Sequence, residues 1–205
     1  YTNVQKQLLL YTQKRVIDFC RNNPAPAHGL DHAERVAAWT KKIIEKEQVT
    51  HPLLCELSAW FHDIGRVPEH YDSRKERHHE LSYELLRQWF REDRMFDQLT
   101  DSEKIEILYA VRFHWNDEAN EYDTAWILRD ADKMDCFGDI GITRMKEFFG
   151  TDEKKIGQHL RDIFQIMACI RTDAAKQFLI EENLFEPISK FREKSLRDQI
   201  ETIEL

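Results

Sequence analysis

The sequence predicts an all-α fold, a helical bundle with additional C-terminal helices, and three observations carry that prediction. Apolar residues recur at the i, i+3, i+4 spacing of a helix through most of the chain. Six glycines and five prolines in 205 residues are about half the usual share of the residues that punctuate strands and turns. A hydrophobic content of 41% is enough to build a core and excludes intrinsic disorder, and the length is that of one ordinary domain, so residues 1–205 are read as a single unit.

The elements follow in order. A first helix is expected over Val4–Arg21, stopped by Pro24 and Pro26, which cannot continue it. The second runs from Asp31, with Asp31 as cap and Glu34 closing a capping box, to about Gln48. The third opens at Thr50-His51-Pro52 and ends by Gly65, its proline sitting where a missing N–H costs nothing. A loop at Arg66–Tyr71 carries Pro68, and helices are expected near Ser73–Arg91, Asp101–Trp115, Asp123–Phe137 and Ile140–Phe149. The last third, Thr151–Leu205, reads as two or more amphipathic helices, the final one interrupted or kinked at Pro187, serving as packing or as a lid.

Composition narrows the function classes. Thirty basic against thirty-eight acidic residues give a net charge of −8, which argues against a binder of nucleic acid polymers and leaves room only for a local basic pocket. No apolar run approaches the ~20 residues of a membrane span, and no apolar leader opens the chain, so a soluble, cytoplasmic protein with no membrane partner is expected. Cys20, Cys55, Cys136 and Cys169 lie far apart without a C-x-x-C pair, which fits reduced, mostly buried thiols better than a zinc knuckle or a disulfide framework.

The chemistry shows in polar residues on apolar helix faces. His32 heads the stripe His32, Val36, Trp39, Ile43. The third helix is apolar nearly all round yet carries His62 and Asp63 side by side, and a buried carboxylate without a partner costs several kcal/mol or more. His78 shares a face with Leu81, Leu85 and Trp89; His114 with Val111, Ala110 and Ile107; Asp132 with Ala125, Leu128 and Ala131. A lone histidine on such a face is more often a hydrogen-bonded core residue than a ligand. Six imidazoles or carboxylates on five successive helices would each need a separate buried partner, and one shared metal site satisfies all of them at once. Nitrogen and oxygen donors without thiolate suit Mn²⁺, Fe, Zn²⁺, Co²⁺ or Ni²⁺, with one ion expected and ligands enough for two. His79 is the alternative to His78; His28, His51, His70 and His159 are read as solvated, His28 with some claim on a pocket mouth; Asp130 and Asp135 are read as structural or as orienting the ligands.

The stretches HGLDHAERV (28–36), WFHDIGR (60–66) and LRDADKMDCFGDIG (128–141), in this order, resemble the HD superfamily of metal-dependent phosphohydrolases. The resemblance covers about residues 25–145, and the later helices are similar to those of small stand-alone bacterial members. It implies that His32, His62, Asp63 and Asp132 hold a first metal ion. The stretch HHELSYELL (78–86) and His114 in VRFHW are similar to the extra histidines of binuclear members, including the cyclic-di-GMP phosphodiesterases, which implies a second ion. WNDEANEYD follows His114 where that branch has a Gly-Tyr-Pro element, and Ile64-Gly65-Arg66 replaces the acidic pair of the alarmone hydrolases, so both of those activities are disfavoured.

The implied activity is hydrolysis of a small phosphate ester, a nucleotide first, with Asp63 as metal bridge and proton acceptor and Arg66 and Lys133, with Arg35, as candidates for gripping phosphate oxygens. Two rivals stand beside it: a di-iron HD oxygenase with the same ligand set, and a non-catalytic regulatory domain stapled by metal.

Overall fold

The computed structural model describes residues 1–23, 29–66 and 77–203; of residues 196 and 198–203 only the backbone is described. Ten α-helices and one 3₁₀ turn make up the described residues, with no strand among them. They are α1 (Asn3–Asn22), α2 (Leu30–Lys46), α3 (Pro52–Phe61), α4 (His78–Glu92), the 3₁₀ turn Arg94–Gln98, α5 (Asp101–Phe113), α6 (Asp123–Met134), α7 (Gly138–Phe149), α8 (Glu153–Ala168), α9 (Asp173–Glu181) and α10 (Phe185–Ile203). No described helix is long and apolar enough to cross a membrane.

α3 is the axis of the bundle. Every residue from Leu53 to Phe61 is buried, and α1, α2, α5 and α6 pack around it. Its sequence is apolar on all sides because it meets protein on all sides. Phe61 at its end sits edge-on to Trp89, Phe90 and Phe96, with ring centroids 6.1, 6.1 and 5.8 Å away. Edge-to-face pairs of this kind add about 0.5–1.5 kcal/mol each beyond burial. They fix the end of α3, from which the still-buried His62 and Asp63 follow.

The helix starts show which local signals the chain uses. α1 opens on a capping box, Gln5 N–H to Thr2 Oγ1 at 3.2 Å and Thr2 N–H to Gln5 Oε1 at 2.9 Å, and α5 on another, between Thr100 and Glu103. α2 departs from the expected cap at Asp31: Gly29 is the N-cap, without a side-chain bond, and its carbonyl takes the His32 amide at 3.2 Å. Asp31 lies inside the first turn, where its charge favours the positive helix end.

Two further expectations are corrected. The helix expected from Ser73 begins at His78, because Arg77 is extended (φ −74°, ψ 144°) and serves as its N-cap; residues 73–76 lie outside the described residues, as do His28, Pro68 and His70. Pro187 does not kink the last helix. It stands in the first turn of α10, where no N–H is needed, and the break comes earlier, at Asn183 with φ 49°. The C-terminal third thus forms three helices, and α10 packs on α7 and α8.

Candidate metal centre

Five helix ends or faces deliver the polar residues to one place. His32 comes from the second residue beyond the start of α2 and is 2% exposed. His62 and Asp63 follow α3 directly, His78 is the first residue of α4, His114 caps the end of α5, and Asp132 lies in the last turn of α6. Of the six sequence-identified donors, the four imidazoles surround Asp63, and Asp132 stands next to His32.

One oxygen of Asp63 faces each of two imidazole pairs. Oδ2 lies 3.6 Å from His32 Nε2 and 3.8 Å from His62 Nε2, and those nitrogens are 3.2 Å apart. Asp132 Oδ1 stands beside this group, 3.3 Å from His32 Nε2 and 4.0 Å from His62 Nε2. Oδ1 lies 3.5 Å from His78 Nε2 and 3.8 Å from His114 Nε2, which are 3.3 Å apart. Donors on one transition-metal ion, each about 2.1 Å from it, stand no more than about 4.2 Å apart. Every one of these separations meets that limit.

The residues fit a metal ion in a second respect. Asp63 Oδ1 is buried and has no hydrogen-bond partner among the described residues, an arrangement that a cation satisfies and an empty apolar pocket does not. His62 Nδ1 donates to the Ala59 carbonyl at 2.8 Å and His114 Nδ1 to the Val111 carbonyl at 2.7 Å. His32 Nδ1 donates to Asp135 Oδ2 at 2.7 Å. In each ring the proton on Nδ1 leaves Nε2 as the ligating nitrogen.

Charge at the site is set by burial and by these neighbours. Burial pushes the pKa of His62 down to about 4 and that of His78 down to about 3, so both rings are neutral at neutral pH. Burial acts in the same sense on His32, but the carboxylates of Asp132, Asp135 and Asp63 outweigh it and raise His32 to about 9. Burial also opposes ionisation of Asp63 and Asp132, yet the surrounding imidazoles, with Arg66 beside Asp63, hold both carboxyls well below the usual range. Burial drives Cys20 up to about 11 and Cys136 up to about 12, and neither thiol is among the grouped donors, which are nitrogen and oxygen.

The remaining predicted residues are placed as follows. Arg66 Nε is 3.3 Å from Asp63 Oδ2, at the edge of the site. Lys133 turns toward Asp117 and the Cys169 carbonyl, and its hydrogen bonds and ion pair are with those groups. Arg35 grips Asp135 through Nε at 2.6 Å and a terminal nitrogen at 3.1 Å, so it supports the orienter of His32. His79 is buried against Trp115, ring centroids 5.3 Å apart. Asp130 accepts the backbone N–H groups of Arg171 and Thr172, the closest at 2.6 Å, and ties the loop before α9 to α6. His51 is exposed, as expected, and contacts Glu106 Oε2 through Nδ1 at 2.9 Å, whereas His159, also expected in solvent, is half-buried against Phe149. Sequence reasoning missed Arg144, which reaches Asp135 Oδ2 at 2.8 Å from α7; nothing local in the sequence links positions nine apart across a helix break.

The HD domain family matches residues 29–136. The fold is similar to that of a protein from Lactobacillus plantarum (18% identity, TM-score 0.71, covering 100% of this chain and 99% of that one). It is similar also to that of YpgQ from Bacillus subtilis in complex with ADP (18%, 0.70, 95% and 96%), and to that of an HD-superfamily hydrolase from Bacillus thuringiensis (19%, 0.70, 95% and 98%). No curated protein matches the sequence significantly. The family match spans more than half of the chain and includes His32, His62, Asp63, His78, His114 and Asp132, and the chain belongs to the HD domain family.

Proposed function

We propose that this chain is a divalent-metal-dependent phosphohydrolase acting on a small phosphate ester, a nucleotide first. The observation that carries the reading is the Asp63 carboxylate, with one oxygen facing the His32 and His62 nitrogens and the other facing His78 and His114. In this reading His32, His62, Asp63 and Asp132 hold one ion, and Asp63, His78 and His114 hold a second.

Ions of the Mn²⁺, Fe, Co²⁺, Ni²⁺ or Zn²⁺ type supply a nucleophile from water at neutral pH and neutralise charge on phosphoryl oxygens. The chain supplies the rest. His62 and His114 are locked by backbone carbonyls and His32 by Asp135, so their nitrogens need no reorientation when substrate arrives. Asp63 is the carboxylate at the centre of the site and would hold both ions through its two oxygens; with its carboxyl held well below the usual range it stays ionised as their shared ligand. Arg66 stands beside it with its guanidinium at the open edge, suited to phosphate oxygens by its fork of donors. Lys133, paired with Asp117, is left a supporting role through that pair.

Support for a nucleotide comes from outside the site: the similar Bacillus subtilis structure holds ADP, and the acidic surface disfavours polymers. The test is phosphate or pyrophosphate release from a panel of nucleoside mono-, di- and triphosphates, with protein loaded separately with each of these metals. Turnover that disappears in His62→Ala supports the reading. Oxygen uptake by ferrous protein without phosphate release transfers it to the di-iron oxygenase, which the shared Asp63 would also serve. Absence of both with every metal leaves the regulatory domain.

A further inference from the structure

The stretch Trp115–Tyr122 forms no helix, and it joins two elements that carry metal donors: His114 closes α5, and Asp132 lies in α6. Arg129 holds this stretch from α6. Its guanidinium donates from Nη1 to the Ala119 carbonyl at 2.5 Å and from Nη2 to Asn120 Oδ1 at 2.9 Å, with Asp117 Oδ1 3.7 Å from Nε. Arg129 is 3% exposed. A charge so deeply buried is costly unless it is paired and hydrogen-bonded, and here its two close acceptors are a neutral carbonyl and a neutral amide on one loop. The burial therefore serves to hold that loop more than to form an ion pair.

We propose that Arg129 is a positioning residue that fixes His114 against α6, and so keeps the Asp63, His78 and His114 donors placed for a second ion beside the first. The inference rests on the two-ion reading of the centre given above.

The link from Arg129 to His114 is short and runs through backbone. The Ala119 amide donates to the Asn116 carbonyl at 3.1 Å, and the Asn116 amide donates to the Phe113 carbonyl at 2.9 Å. Two successive turns that share Asn116 thus carry the hold on Ala119 back to the end of α5. At its other end the link is anchored three residues before Asp132, within one helical turn.

The neighbouring contacts do not replace it. The Val111 carbonyl orients the His114 ring, but it belongs to α5 and moves with that helix. Of Arg129, Lys133 and Arg171, which all reach this stretch, Arg129 alone is buried. Lys133 pairs with Asp117, whose side chain is 43% exposed, and ion pairs at such places contribute little. Arg171 meets Asn120 Oδ1 at 2.6 Å while lying over the Trp126 ring, 3.9 Å from its centroid, on the exposed side. Asp132 sits within a helix that packs on α2 and α3, whereas His114 caps a helix end, where the chain frays most readily. Loosening Arg129 therefore acts on the second ion before the first.

The test is Mn²⁺ titration of the full chain, followed by calorimetry and electron paramagnetic resonance. Arg129→Lys keeps the charge and loses the fork of donors. Asn120→Ala removes one acceptor from an exposed residue and leaves the buried core untouched. Both variants are expected to bind the first ion within about twofold of wild type and the second about tenfold more weakly, as at other supporting positions. At equal loading the coupled signal of an ion pair gives way to that of single ions. Melting of the metal-free protein is recorded alongside. A merely structural Arg129 lowers the melting temperature and weakens both ions in step, and that result, or wild-type affinity for both ions, overturns the inference. Where Arg129→Lys does not fold, Asn120→Ala decides by the same criteria. The two readings fail differently: wild type that saturates at one ion per chain removes the two-ion reading and this inference with it, whereas two ions in wild type with no selective loss in the variants removes the inference alone.

Discussion

Gly65 lies against the first turn of α4 so closely that a Cβ there would meet the His78 carbonyl oxygen at 2.1 Å and the Ser82 amide nitrogen at 2.3 Å. The Gly65 amide donates to Ser82 Oγ at 2.8 Å across the same contact. This approach brings His78 to Asp63, two residues before the glycine.

Gly65→Ala is therefore expected to push α4 away. Overpacking of this kind costs about 1–3 kcal/mol, and the displaced His78 weakens the ion held with His114 before the one held with His32. Thermal melting together with metal content checks both parts; a variant that keeps wild-type stability and full metal content contradicts them.

The histidine pair at the start of α4 gives a second prediction. His78 Nε2 faces Asp63 Oδ1 at 3.5 Å, while His79 packs on Trp115. His78→Ala is expected to lose one bound ion and His79→Ala to lose stability with its ion count kept, measured by elemental analysis of each purified variant. The reverse pattern would exchange their roles.

Asp135 orients His32 and is itself held by Arg35 and Arg144. Asp135→Asn leaves the ligands in place but loosens the ring and removes its carboxylate partner, and losses at such supporting positions run about 10–100-fold in metal affinity. Competition against a chelator of known strength measures the change. Affinity within twofold of wild type would show that His32 needs no orienter.

Metal uptake should also release a proton. In the metal-free protein His32 has its pKa raised to about 9, while His62 and His78 are neutral at pH 7 with values near 4 and 3. An ion must displace the proton on His32 Nε2, so apparent affinity rises about tenfold per pH unit on the way up to pH 9 and levels off above it. Calorimetry at pH 7 in buffers of different ionisation enthalpy should report about one proton per first ion. A count of zero contradicts the arrangement of His32 between Asp132 and Asp135.

Much of the site was legible because its residues break the local pattern. An imidazole at 32 and a carboxylate at 63 on faces otherwise apolar had to be satisfied by something, and the spacing identified which faces met. What the sequence concealed depends on tertiary contact. Asp31 has the chemistry of a cap, yet Gly29 takes the role because the helix starts two residues earlier than the charge pattern implies. Lys133 follows the ligand Asp132 directly but projects about 100° around the helix and reaches Asp117 instead. Arg144 and His159 enter the site's surroundings from helices whose docking no local signal fixes. The start of α4 at His78 was equally hidden, since residues before it carry a helix-compatible composition.

The most direct test counts ions in wild-type protein and in Asp63→Ala, purified without added metal and again after loading with Mn²⁺. With Asp63 shared between two groups of donors, loaded wild type should hold about two ions per chain and the variant almost none, since both groups lose their common oxygen ligand. An unchanged ion count in Asp63→Ala would contradict the bridging role and with it the metal centre as built here.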